Sequence, residues 1–307
     1  MATIDTFYPT EFERSFTQAL QQMDSRLLNS VTRADFTGKK KWFNLINDSE
    51  AQDVLVRKGD TPDGEFDGSK YWLTQRPKEK VTVFDEFDKH FLGSIVLPTS
   101  DEVQSHAMAF NRAIDDVIIN AFDATRYIGE DGTTSDTFNA SYSIASSYVE
   151  NGTSAQSGLT IGKLRRAKYL MDLAEVPNSD RMLVCGAQQV QDLLRTTEVT
   201  NEDYSSVKAL VSGQIDTFLG FKFLSSQRLI NATVSSVADI RSVFAFHKSA
   251  IKFAMSDRKV QMDILPTRRH ALQIRSTMML GAVRTENEKV VRIYCDESPS
   301  STLKGAV

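Results

Sequence analysis

The chain has 307 residues, 41% hydrophobic and 25% charged, the make-up of a globular protein large enough for two ordinary domains or one elaborate one. A formal net charge of -4 excludes a basic, phosphate-gripping balance, and no apolar run approaches the ~20 residues that span a bilayer. The two cysteines, Cys185 and Cys295, form no CxxC pair; this excludes a zinc or redox motif and fits a reducing compartment.

The polar N-terminus lacks a basic-then-apolar signal layout. Phe12, Phe16, Leu20, Met23 and Leu27 then recur at helical spacing, one apolar stripe on a polar helix. Nothing nearby in sequence covers that stripe. It is expected to dock on a distant part of the fold or on a neighbouring subunit. Lys39-Lys40-Lys41 reads as a solvated linker rather than a nucleic-acid patch.

A long polar hairpin follows, with legs at 42–57 and 71–84. Val81 and Val83 alternate with Thr82, the period of a strand, and Gly59, Pro62, Gly64 and Gly68 turn the chain between the legs. The tip, Lys58–Lys70, is too polar for a core and awaits a partner or solvent.

After Pro98, Thr99 and Glu102 make a capping box. Val103, Ala107, Phe110, Ile114, Val117, Ile118 and Ala121 then predict a helix running to Ile128, with Gly129 just past its end. Its length is on the order of 28 residues, or ~42 Å at the α-helical rise, that of a spine rather than a packing element.

Residues 130–160, rich in Gly, Ser, Thr and Asn, predict a loop-rich crossing between domains. An α/β segment comes next. Leu164, Ala167, Leu170, Met171 and Ala174 mark a helix, Met182–Cys185 a buried strand, and Val190, Leu193 and Leu194 a second helix. Val207, Leu210 and Val211 mark a third helix, ended by Gly213; Phe218–Leu224 and Val243–Phe246 read as strands. Ala271–Val283 and Val290–Cys295 read as a closing β-hairpin whose charged turn, Arg284 to Lys289, is exposed. There is no internal repeat. A hairpin that cannot bury itself, beside an over-long helix, points to a subunit built to meet copies of itself.

No catalytic, cofactor-binding or metal-ligating residue is assigned, and no cofactor is expected. The chain has no GxGxxG, P-loop, HExxH or GxSxG. The histidines, His90, His106, His247 and His270, do not cluster at metal-ligand spacing. His106 reads as structural, because no nucleophile or carboxylate pair accompanies it. Cys185 ends a strand before Gly186, a place where nucleophiles sit, but no histidine lowers its pKa, and a buried structural thiol is the better reading. The stretch from Asp63 to Gly68 resembles the opening of a calcium loop, yet position twelve falls on Thr74 where a bidentate Glu is required.

The order of these elements resembles that of tailed-bacteriophage major capsid proteins, which share the Hong Kong 97-type fold. Local sequence agrees with the podovirus-like branch. RKGDTPDGE (Arg57–Glu65) is similar to its extended-loop tip, and FNRAIDDVIINAF (Phe110–Phe122) to its spine helix, with Arg112 and Asp115 on the polar side. SVFAFHKSAIKFA (Ser242–Ala254) and MMLGAVRTENEKVVRIYC (Met278–Cys295) are similar to its closing strands.

The resemblance implies an α+β fold with an N-terminal arm (1–41), an extended β-hairpin loop (42–82), a peripheral β-sheet domain with the spine helix (83–129), an α/β axial domain (130–245) and a return to the peripheral domain (246–307). It implies a non-enzymatic subunit that self-assembles through pentamers and hexamers into an icosahedral shell around double-stranded DNA. That DNA is bound without sequence specificity, and no membrane is involved. It also implies a portal protein and leaves room for a cementing protein. Some relatives carry a cleaved scaffolding segment of about a hundred residues; this chain has no room for one, so a separate scaffolding protein is expected. Lys58 and Lys70 flank the loop tip, but no acceptor Asn or assisting Glu matches, so no covalent crosslinking is expected. Assembly in the host bacterial cytoplasm and residence in the virion capsid follow. Two alternatives are an encapsulin-like compartment shell and a cytoplasmic α/β enzyme using Cys185 or the acidic tip.

Overall fold

The computed structural model describes residues 22–35, 38–46, 68–84, 101–150, 156–194, 217–229, 231–234, 237–256 and 258–298, leaving out the side chains of 101–103, 231–234 and 237–238. In chain order its strands and helices are β1 (Thr32–Arg33), β2 (Lys40–Ile46), β3 (Gly68–Thr74), β4 (Arg76–Phe84), α1 (Asp101–Asp123), β5 (Arg126–Ile128), β6 (Thr134–Asp136), β7 (Ser143–Ile144), α2 (Ile161–Leu173), β8 (Arg181–Cys185), α3 (Ala187–Leu194), β9 (Thr217–Phe218), β10 (Phe221–Ser225), β11 (Asn231–Val234), β12 (Val237–His247), β13 (Ile251–Met255), β14 (Lys259–Leu265), β15 (Ala271–Arg284) and β16 (Val290–Asp296). The amphipathic N-terminal stripe from Phe12 to Leu20, residues 58–67 of the hairpin tip, Thr99 and the Glu102 side chain of the capping box, and the third helix near Val207 lie outside what the structure describes. Of that stripe, Met23 and Leu27 are described, and residues 22–27 are not helical.

The chain divides into two compact units. The first comprises Met1–Ser25, Pro77–Ile114 and Ser256–Met279. Here β14 lies antiparallel to the first part of β15, from Lys259↔Thr277 to Leu265↔Ala271, and β4 also pairs with β15. No element is expected over 259–265, although Val260, Met262 and Ile264 alternate as strand residues do. The expected single leg 71–84 is two strands, 76–84 lying in a different sheet from β3. The alternation of Val81, Thr82 and Val83 is present, with the valines outward. The valines are exposed, while Lys80 and Thr82 reach the polar Ser105 and His106 of α1. The facing helix decides which face of the strand turns in.

The second unit comprises Arg26–Arg76, Asp115–Met255 and Leu280–Val307. Its main sheet runs β7-β16-β12-β8-β10-β9, with β11 paired to β12. β8 is buried at every residue, as a central strand must be, and runs parallel to β10 and antiparallel to β12. Phe122, in the last turn of α1, stacks on Phe244 of β12 at 5.0 Å and packs tilted against Phe246 at 4.6 Å, fixing that end of the helix to the sheet. A second sheet, β2-β3-β5-β6, and the set β1-β13-β15 complete the unit.

Three further expectations change. The spine helix has 23 residues and ends at Asp123, so the described helix is about 35 Å long. Arg126–Ile128 forms β5 instead, and Gly129 serves the β5–β6 turn. Phe218–Leu224 is two strands, β9 and β10, folded about Leu219 and Gly220, both at positive φ. The closing segments are not a hairpin. β15 pairs with β13 and β14, whereas β16 joins β12 and β7 in the other sheet. The connection between them turns inward, with Arg284 and Thr285 buried.

Candidate assembly surfaces

A subunit that meets copies of itself needs rigid elements to present its surfaces. The C-terminal half of α1 is fixed at several points by charged groups. Asp115 is 0% exposed, which corrects its expected place on the polar side of the spine helix. Its carboxylate accepts the backbone N–H of Arg26 and of Leu27, both at 3.2 Å, so it ties the entering chain to the helix. The next residue, Asp116, faces outward and holds Arg228 through two bonds of 2.5 Å. That hydrogen-bonded carboxylate raises the Arg228 pKa above its ordinary value.

At the helix end, Arg284 donates to the carbonyls of Phe122 and Ala124 at 2.8 and 3.0 Å. A cation satisfying the last carbonyls also complements the helix dipole, which explains why no glycine cap is needed. Burial pulls the Arg284 pKa down to about 10, with the neighbouring Arg126 adding to the effect. Its plane lies 5.1 Å from the Phe138 ring, and Arg292, bonded to Asp123 at 3.2 Å, lies 4.9 Å from that ring.

The base of the hairpin carries exposed aromatic side chains. β2 and β3 pair from Lys40↔Thr74 to Ile46↔Gly68, which sets Trp42 opposite Trp72 and Phe43 opposite Tyr71. Trp72 is in turn opposite Tyr127 of β5. Alternation sorts these residues onto two faces. Phe43, Leu45, Tyr71, Leu73 and Ile128 pack inward on Ala254 and Val283. Phe43 and Tyr71 stack at 5.6 Å, and the Lys252 ammonium lies 4.1 Å from the Phe43 centroid. Burial, with Lys41 adding to it, holds the Lys252 pKa below the usual lysine range. The Tyr71 phenol is pushed up to about 12 by burial, with Glu286 contributing.

The opposite face carries both tryptophans of the chain and Tyr127. Trp42 and Tyr127 are 49% and 51% exposed. Trp72 is held by a bond of 2.9 Å from its indole N–H to the Gly129 carbonyl, and Gly132, at φ 64°, lies where a Cβ would sit 2.6 Å from the ring. The row is therefore anchored at its centre and open at both ends. Lys40 and Lys41 are part of β2, not of a linker.

The residues singled out for chemistry resolve differently. His106 is buried, its Nε2 2.8 Å from the Thr82 hydroxyl and its Nδ1 2.9 Å from that of Ser276, so it bridges β4 and β15. Cys185 ends β8 fully buried, and burial pushes its thiol up to about 12. The calcium-like stretch falls outside the described residues, apart from Gly68 in β3, as does Lys58. Among the described residues, no group of three or more His, Cys, Asp or Glu could hold a metal, and no helix is long and apolar enough to cross a membrane. Arg284, expected in an exposed turn, is buried, and Lys163, assigned no role in the sequence, falls in line with Ala167 and Leu170 on the apolar stripe of α2.

A family model described as phage capsid protein matches residues 4–297. No curated protein matches. Solved structures are similar at low identity. A chain of the cyanophage P-SCSP1u capsid aligns over 96% of this chain and 94% of its own, with a TM-score of 0.72 and 15% identity. The acid-stable capsid of Helicobacter pylori bacteriophage KHP30 gives a TM-score of 0.70 at 10% identity, over 96% and 97%. A chain of Mycobacterium phage Che8 gives 0.65 at 16%, over 95% and 98%. The α+β fold is the Hong Kong 97-type fold of these capsids.

Proposed function

The chain belongs to the phage capsid protein family, a structural subunit of an icosahedral virion shell and not an enzyme, and from that premise we propose that its shell is that of a tailed phage of the podovirus-like branch, enclosing double-stranded DNA. The observation that carries this reading is a family match spanning 4–297, nearly the whole chain. The shell is built from pentamers and hexamers of this subunit. The axial domain (130–245) packs around their axes, the extended loop (42–82) crosses the next subunit, and the N-terminal arm (1–41) follows a neighbour. The peripheral domain (83–129 and 246–307) forms the outer part of each capsomer. A negative formal charge suits a container for DNA, because each neutralised phosphate would add salt-dependent affinity that opposes packaging and release.

The partners beyond copies of itself are a separate scaffolding protein, a portal protein and the packaged DNA, met without sequence specificity, with room left for a cementing protein. Assembly takes place in the host bacterial cytoplasm, and no subunit crosslinking is needed. The test is negative-stain electron microscopy of the chain expressed alone and with a candidate scaffold. Closed shells of uniform size in either sample are expected. Discrete monomers or dimers in both, at high concentration, would refute the reading.

A further inference from the structure

Arg284 is buried and Arg292 half-buried, and most of their donors have partners. Arg284 donates from Nε to the Asn287 side chain at 2.9 Å and from Nη1 to the carbonyls of Phe122 and Ala124. Arg292 donates from Nη1 to Asp123 at 3.2 Å and from Nη2 to the Ser143 hydroxyl at 3.1 Å. One nitrogen of each is left over. Arg284 Nη2 and Arg292 Nε are buried and meet no nitrogen or oxygen acceptor among the described residues. A buried donor without an acceptor is unfavourable and rare in a native fold. Arg284 also has no carboxylate at ion-pair distance among the described residues, since Asp123 pairs with Arg292 and Asp136 with Arg126.

Both guanidinium groups converge on one ring. The Phe138 centroid lies 5.1 Å from the Arg284 Cζ and 4.9 Å from the Arg292 Cζ. An aromatic face is electron-rich; it attracts a cation within about 6 Å, more strongly where water is excluded, and accepts N–H donors. Phe138 belongs to the stretch 137–142, which carries the chain from β6 to β7 and so from one sheet of the second unit to another. Thr137, Asn139, Ala140 and Ser141 are exposed in that stretch, whereas Phe138 is half-buried.

We propose that the Phe138 ring is the shared acceptor of the Arg284 and Arg292 guanidinium groups, and that this clasp fastens the 137–142 crossing to the C-terminal end of α1. The ring receives the donors that no nitrogen or oxygen takes, and its electron-rich face offsets the repulsion between two like charges. Arg284 ends β15, Arg292 lies in β16, and both are bonded to residues 122–124. One side chain thereby ties the crossing to two strands and a helix end, which makes Phe138 a positioning residue. The inference stands apart from the shell reading and uses only the folded subunit.

The experiment replaces Phe138 in the full chain by mono-, di- and trifluorinated phenylalanine. Each fluorine withdraws electron density from the ring face and changes its size little. Amide hydrogen exchange over 137–142 reads the opening of the clasp. Exchange is expected to quicken with each fluorine, by about five-fold or more over the series. A merely apolar contact would leave it unchanged or slow it, because fluorine adds apolar area. In nitrogen-15 spectra the Arg292 Nε–H proton should lie upfield, shielded by the ring, and move back downfield in Phe138→Leu. Exchange that is unchanged or slowed along the series would overturn the proposal, as would an Arg292 Nε–H proton at the same position in the parent and in Phe138→Leu. Should Phe138→Leu fail to fold, the fluorinated series decides alone.

Discussion

The Asp115 carboxylate accepts the backbone N–H of Leu27, 88 residues earlier in the chain, at 3.2 Å. Both residues are 0% exposed, so the bond is made out of water. The same carboxylate takes the Arg26 N–H at 3.2 Å. One side chain in α1 thereby holds Arg26 and Leu27 in place within the second unit.

Asp115→Ala removes the acceptor and leaves buried donors unsatisfied, which should destabilise the subunit by about 2 kcal/mol. Asp115→Asn keeps one acceptor oxygen and should lose less. Urea unfolding of the assembly-free subunit measures both; a loss under about 0.5 kcal/mol for the alanine variant would contradict this role.

Gly281, in β15, lies where a Cβ would meet the Thr74 carbonyl oxygen at 2.6 Å and the Gln75 Cα at 3.1 Å. These neighbours are backbone and cannot rotate away. Gly281→Ala should therefore cost about 1–3 kcal/mol, and Gly281→Val more, read as a fall in thermal midpoint. An alanine variant as stable as the parent would show that the sheet shifts freely there.

Burial pushes the thiols of Cys185 and Cys295 up to about 12 each, and for Cys295 the nearby Lys163 only partly offsets it. Neither should react with iodoacetamide at pH 8 in the folded subunit, because the thiolate is the nucleophile. Both should react fully in denaturant. Prompt labelling of Cys185 in the native state would reopen the question of a reactive thiol.

Burial first, and Lys289 second, hold the His247 pKa below its ordinary value of 6.5. The folded state therefore binds fewer protons here than the unfolded state, and stability falls as pH drops below 6.5. The fall continues until the folded-state pKa is passed. His247→Gln should flatten this part of the pH–stability curve, provided the hydrogen bond from the Ser249 N–H, now at 3.2 Å, is kept. A curve of unchanged slope would assign the acid limb to carboxylates.

Trp42 is half exposed on the outward face of β2, so Trp42→Ala should change the thermal midpoint of the subunit little. If this face meets another copy, truncating an aromatic anchor should raise the concentration needed for shells by about ten-fold or more. Light scattering against concentration measures it, with Tyr127→Ala as the companion variant. Assembly indistinguishable from the parent for both would place the contact elsewhere.

The periodicity of Leu164, Ala167 and Leu170 and the unbroken apolar run of Met182–Cys185 specify α2 and β8 by themselves, because burial on one stripe or on both faces leaves its imprint in the local spacing. The order of hairpin, spine helix and α/β segment likewise carried the family. Spacing alone did not decide which way an alternating strand faces. Val81 and Val83 turn out because His106 and Ser105 lie on the other side. It did not decide which strands pair, so β15 and β16, consecutive in sequence, enter different sheets. Nor did it reveal that Asp115, Lys163 and Arg284 are buried, since a charge is accepted in a core only where distant backbone N–H or C=O groups converge on it. Leu27 lies 88 residues from Asp115 and Phe122 162 residues from Arg284, and of the four carbonyls on Lys163 that of Tyr294 is 131 residues away; only the tertiary fold brings these groups to the charges.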